Sequence, residues 1–175
     1  MTLILVFSAC QKDPLPAGAD EAQRREIIRV SEQQIANAQQ EFTKMEARIL
    51  RQTPVNAVTL PAGSTDGLAA AVAEAGRGGT ILVKAGEHLE TGTVTITEKV
   101  TIIGEKGAVI FSGTEGVNVA GRLQPALYIK GATGVVIYGL DLRADSYLGG
   151  IGILVHNAPK TVISQNSITG FSGGI

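Results

Sequence analysis

The chain has 175 residues, a formal net charge of −1 and a sequence pI of about 6.1, with no Trp. A balanced charge without a basic stripe argues against nucleic acid as a partner, and the length allows one ordinary domain plus an appendage. Composition is uneven: 21 of the 22 glycines lie after Gln52, whereas residues 11–52 carry 14 of the 31 Asp, Glu, Lys and Arg side chains. With Pro54 as punctuation, that shift predicts a boundary near Gln52–Val55.

The first ten residues, MTLILVFSAC, form an apolar run that ends in small residues and the only Cys. A run this short reads as a secretory signal rather than a membrane span. A lone thiol cannot form an internal disulfide. Phe7-Ser8-Ala9-Cys10 resembles the lipobox of bacterial lipoproteins, although no Lys or Arg precedes the apolar run. The resemblance implies cleavage before Cys10, a diacylglycerol on its sulfur, and export to the outer membrane as a lipoprotein, cell-surface or periplasmic. Several acyl chains make a durable anchor, at about 0.8 kcal/mol per buried methylene.

Residues 11–20 read as a Pro/Gly/Ala tether, and Asp20 with Gln23 offers a helix N-cap and its capping-box partner. A helix is expected over 21–52. Its apolar residues Ile28, Ile35, Phe42 and Ile49 repeat every seven, but the second seam position holds Ser31, Ala38, Met45 and Gln52. A stalk, or a helix lying along the following domain, is therefore expected rather than a coiled coil.

Residues 53–79 predict an opening strand at Val55–Leu60 and a small Ala-rich helix, GLAAAVAEAG, from Asp66 or Gly67 to Gly76. From residue 80 onward, short alternating strands take over. Val94 and Ile96 point one way while Thr93, Thr95 and Thr97 point the other; Leu140 and Leu142 face in while Asp141 and Arg143 face out. Residues 126–142 then repeat at an offset of 26, which pairs Ile129 with Val155, Val136 with Val162, Ile137 with Ile163 and Leu142 with Ile168. Three strands per unit with a period in the twenties predict a parallel β-helix, in which stacked coils supply a core that no single coil can bury. The motif Ser172–Ile175 restarts the pattern of Gly149–Ile153, so a truncated copy of a longer rod is expected, with Val162, Ile168 and Ile175 facing inward in its last coil.

The phrase GLAAAVAEAGRGGTILVKAGEHLETGTVTITEKVTIIGEKGAVIFSG resembles the start of bacterial right-handed parallel β-helix proteins of the pectate-lyase-like group, and the likeness extends from about Thr59 to the end. It implies an all-β solenoid whose Ala-rich helix caps the open amino-terminal end. Rods of this group serve as lyases, hydrolases, epimerases and adhesins, so the resemblance leaves activity open.

A lyase of this group needs carboxylates to hold Ca²⁺ and a strong base near the reacting proton. Here Asp141, Arg143 and Asp145 are the residues that could begin such a set, and at the 26-residue offset Asp141 and Arg143 stack beside Ser167 and Thr169. Lys130 and His156 form a second stacked pair, Tyr128, Tyr138 and Tyr147 offer faces for sugar rings, and His88 reads as a solitary exposed side chain near a turn. Two His and one Cys predict no metal centre. The expectation is a lipid-anchored rod that binds or organises polysaccharide. The alternatives are the front end of a lyase or epimerase whose catalytic coils lie beyond residue 175, with Ca²⁺ in that case only, and a purely structural rod or adhesin.

Overall fold

The computed structural model describes residues 21–51, 56–114, 123–145 and 149–175. The apolar run ending at Cys10, the tether, the Asp20 cap, the boundary at 52–55 and Tyr147 lie outside these residues. The chain divides into two compact units at residue 53.

The amino-terminal unit contains α1, Glu21–Arg51. Its charges satisfy one another along the helix: Arg25 bonds Glu21, Arg29 bonds Glu26 and Lys44 bonds Glu41. Pairs at these spacings add only a few tenths of a kcal/mol each. Ile28 and Ile35, one heptad apart, are both 48% exposed. No described helix is long and apolar enough to cross a membrane.

Among the described residues, the second unit is built from β1 (Val58–Leu60), α2 (Gly67–Ala75) and twelve further strands. These are β2 (Thr80–Val83), β3 (Gly86–Glu90), β4 (Val94–Ile96), β5 (Thr101–Gly104), β6 (Ala108–Ser112) and β7 (Pro125–Lys130), then β8 (Val136–Tyr138), β9 (Asp141–Ala144), β10 (Gly149–His156), β11 (Val162–Ser164), β12 (Ser167–Thr169) and β13 (Phe171–Gly173). They form three sheets, ordered β1-β2-β5-β8-β11, β3-β6-β9-β12 and β4-β7-β10-β13. Every pairing is parallel. From β2 onward the chain visits the first, second and third sheet in strict rotation, so each strand pairs with the one three later.

The register is the one the 26-residue offset predicts. Val155 pairs with Ile129, Val162 with Val136, Ile163 with Ile137, Ile168 with Leu142, Ser167 with Asp141, Thr169 with Arg143 and His156 with Lys130. Earlier strands stack at other intervals: Thr101 lies 21 residues after its partner Thr80, and Val136 lies 35 after Thr101. The connection between β6 and β7 makes the difference.

Alternate residues of each strand point between the sheets and stack in columns. Ile81, Ile102 and Ile137 make one column in the first sheet; Ile110 and Leu142 share another in the second; Ile96 and Ile129 share one in the third, and all seven are at most 1% exposed. Three such side chains per level give a dry interior, each worth about 1.5–3 kcal/mol of burial. The first two columns continue into β11 and β12 with Ile163 and Ile168, which are only partly buried, while the third reaches Val155, which is 37% exposed. Phe171 on β13, in register with Gly149, also packs against the core. Val162 faces outward beside Val136, not inward as expected; parity gives that position to Ile163. Ile175 is 63% exposed rather than inward.

On the other side, β1 covers the edge of β2, and residues 63–66 bond along β3 through Gly63 N–H to Glu87 O, Leu89 N–H to Ser64 O and Asp66 N–H to Leu89 O. Helix α2 packs Leu68 and Ala71 into the core and ends at Gly76, whose φ of 59° a side chain would resist. Parallel strands leave unpaired backbone at their edges, and here β1, the 63–66 segment and α2 occupy those of the first repeat. The opening strand is shorter than expected, starting at Val58.

Candidate functional site

The candidate residues divide between two outward faces. Asp141 and Arg143 alternate on β9 in the second sheet, and Asp145 follows the strand, its N–H bonded to Ser112 O at 2.8 Å. Arg143 donates to Asp141 Oδ2 through both Nε, at 3.1 Å, and Nη2. The carboxylate holds the guanidinium above its already high pKa, and Glu87 adds to the effect. Asp141 Oδ1 is shielded and has no hydrogen-bond partner among the described residues. A guanidinium held this firmly in its protonated form is an anion-binding group and not a base. Register places Phe111 and Thr169 on either side of Arg143, and Val109 and Ser167 on either side of Asp141. The charged pair is therefore flanked by apolar and hydroxyl groups.

Lys130 and His156 lie on the third sheet, in register on β7 and β10 and both exposed. The structure adds Tyr128 to them. Its hydroxyl lies 3.2 Å from His156 Nδ1, and the two rings are parallel, 1° apart in plane, with centroids separated by 6.5 Å. Strand alternation explains the grouping: Tyr128 and Lys130 are two residues apart on β7, so both project outward while Ile129 between them is fully buried. The result is a flat aromatic surface with a polar tip beside the exposed ammonium of Lys130.

His88 corrects the expectation of an exposed, solitary histidine. It is 2% exposed and points inward on β3. Nε2 lies 2.8 Å from the carbonyl oxygen of Lys84, which can only accept, so Nε2 donates there, and Nδ1 lies 2.8 Å from Ser64 Oγ. Two residues on, Glu90 is also buried, at 4% exposure, and its Oε1 accepts the N–H of Leu68 at 2.7 Å at the start of α2. Burial raises the Glu90 pKa, opposed by the amides of Leu68 and Gly67 and the charge of His88, and assisted by the charge of Asp66. Asp66 itself sits at φ 51° and takes the N–H and hydroxyl of Thr91 on its carboxylate at 2.7–2.9 Å, which lowers its pKa. This cluster fastens the 63–66 segment and α2 to β3. The signal for it was in the sequence as the alternation of His88 and Glu90 with Glu87 and Leu89, but two polar residues in an inward frame read as a turn.

Among the described residues no group of three or more His, Cys, Asp or Glu is arranged to hold a metal ion. No protein-family model matches the chain, and no curated protein or solved structure matches it.

Proposed function

We propose that this chain is an exported, lipid-anchored right-handed parallel β-helix whose outward faces bind polysaccharide. The strict rotation through three parallel sheets supports the solenoid reading, and the position of α2 over the first repeat suits a cap. The observation that carries the binding reading is the Tyr128–His156 pair with Lys130 on one outward face. Parallel rings bury the apolar side of a sugar while the hydroxyl, imidazole and ammonium reach its oxygens. Anchoring through Cys10 would hold that face at the outer membrane.

Catalysis by β-elimination is not favoured, because Arg143 is committed to Asp141 and no described residue near it is placed as a base. Affinity electrophoresis of the full chain on a panel of soluble glycans tests the proposal. Retardation that Tyr128→Ala or His156→Ala weakens at least fivefold supports it, and mobility unchanged by every glycan rejects it. Acyl labelling that persists in Cys10→Ser rejects the anchor.

A further inference from the structure

The three sheets meet at three corners, and the cations gather at one of them. Between the third sheet and the next strand of the first, the chain turns through residues 97–100, 131–135 and 157–161, the last two directly after Lys130 and His156 end their strands, and α2 reaches the first sheet through residues 76–79. These turns stack on one another: Gly78 N–H bonds Lys99 O at 2.6 Å, Val136 N–H bonds Val100 O at 3.0 Å, Gly131 N–H bonds His156 O at 2.9 Å and Gly134 N–H bonds Pro159 O at 2.9 Å. Arg77, Lys99, Lys130, His156 and Lys160 are all exposed on the stack, and Glu98 is the one acidic residue among the four turns. Lys99 runs along the ridge instead of away from it, because its Cδ and Cε come within 3.9 Å of where a side chain on Gly134 would begin.

Two of the other basic residues are paired: Lys84 with Glu105 at the corner between the first and second sheets, and Arg143 with Asp141 on the second. Lys106 lies exposed beside Glu105. Four of the seven described Lys and Arg side chains of this unit, Arg77, Lys99, Lys130 and Lys160, thus fall along one line. Strands of neighbouring repeats lie about 4.8 Å apart, so the ridge from Arg77 to Lys160 spans three steps, roughly 14 Å, with a cation at each level. Tyr128 flanks its middle.

From this we infer that the corner ridge binds a linear anionic polysaccharide lying along the stacking direction, its acidic groups meeting successive cations and its sugar rings passing Tyr128. The inference rests on the glycan-binding reading above and adds charge class, orientation and residues to it. A polyanion in that position gains from several partly screened charges at once, so binding weakens as salt rises.

Dextran sulfate and unmodified dextran share one backbone and differ only in charge, which makes them the deciding pair. Full-length protein should bind dextran sulfate at least tenfold more tightly than dextran at low ionic strength. Lys99→Gln/Lys130→Gln/Lys160→Gln should lose at least tenfold of that affinity with an unchanged thermal transition, while Lys84→Gln should lose little. Longer polyuronate oligomers should bind more tightly than a dimer. Equal binding of both dextrans, or sulfate binding that the triple substitution leaves intact, overturns the ridge while leaving glycan binding standing. Retention on phosphatidylglycerol vesicles that the triple substitution abolishes, with no binding to dextran sulfate, overturns the glycan as occupant. Binding to no glycan at all rejects the parent reading as well.

Discussion

Two adjacent repeats in the second unit, residues 126–151 and 152–175, share one register and make their corners from different residues. The first bends at Gly131, Gly134 and Gly139, with φ of 68°, 76° and 73°. The second bends at the same places, 26 residues on, with Asn157, Lys160 and Gln165, at φ of 50°, 60° and 56°. Left-handed backbone costs a non-glycine residue about 1–2 kcal/mol, less for Asn. The fold therefore imposes the conformation, and the sequence satisfies it in one repeat and tolerates it in the next. Their interiors differ too. Ile137 and Leu142 are sealed between neighbours on both sides, whereas Ile163 and Ile168 lie on strands at the edge of their sheets among the described residues and are half-buried.

The largest effect that can break this comparison lies in the core. Ile137→Ala or Leu142→Ala should cost about 3–4 kcal/mol, since each removes methyl groups from a dry, fully packed column. Ile163→Ala or Ile168→Ala should cost about 1–2 kcal/mol because part of their surface already meets water. Denaturant titration of the four variants decides it. Equal losses would mean that the two repeats are not energetically distinct.

Corner glycines come next, and they are not equivalent. A Cβ on Gly139 would lie 2.9 Å from Gly104 O, backbone that cannot move aside, whereas one on Gly134 would meet nothing nearer than the flexible Lys99 side chain at 3.9 Å. Gly139→Ala should therefore cost about 2–3 kcal/mol, combining strain with the clash, and Gly134→Asn about 1 kcal/mol of strain alone. Conversely, Lys160→Gly should leave stability unchanged or raise it by about 0.5 kcal/mol, the relief of strain being partly offset by the looser unfolded chain. A destabilisation above about 1 kcal/mol on Lys160→Gly, read from the same titrations, would show that the corner does not carry the assigned strain.

How much of this was readable in the sequence depends on the interval. The 26-residue echo was visible because two consecutive repeats share their connection lengths, and every pair it proposed is in register. The earlier repeats stack at 21–22 and 32–35 residues, so no single offset exposes them. The Asp141–Arg143 pair followed from strand alternation, which is local. Tyr128 joining His156 required the register and the alternation together. The side-chain amide of Asn166 bridges repeats, accepting from Leu140 N–H at 2.9 Å and donating to Ile137 O at 2.9 Å. Nothing local to Asn166 reveals which backbone groups lie beside it.

The buried His88–Glu90 end gives a smaller effect, seen as a pH dependence. Burial raises the Glu90 pKa above its ordinary value near 4.5, so the folded state favours the protonated acid. Its contribution to stability is fully present below that ordinary value and falls as pH rises through the folded-state pKa. Glu90→Gln keeps an acceptor for Leu68 N–H and has no proton to lose. The stability of the variant relative to the parent should therefore shift in the variant's favour as pH rises from 4 to 8. Glu105, bonded to Lys84 Nζ and the N–H of Ala85, has a lowered pKa and the opposite sign: its contribution is lost as pH falls through its folded-state value. Parallel curves for the parent and Glu90→Gln across that range would remove the buried carboxyl from the argument.

The smallest expected effect concerns the Asp141–Arg143 pair on the outer face of the inner repeat. Arg143 and Asp141 are 48% and 25% exposed, and water screens their attraction, so a double-substitution cycle should give a coupling of about 0–1 kcal/mol. Arg143→Ala should cost more than Asp141→Asn, because removing the guanidinium leaves a carboxylate whose Oδ1 already lacks a partner. The last repeat shows that the fold does not need the pair: the same two register positions hold Ser167 and Thr169, which are neutral. Asp141→Ser/Arg143→Thr, which copies the last repeat onto the inner one, should thus fold with a thermal transition within a few degrees of the parent. A loss larger than about 2 kcal/mol in that variant would mean that the pair holds the second sheet together, and that its place on an outward face has a structural cause.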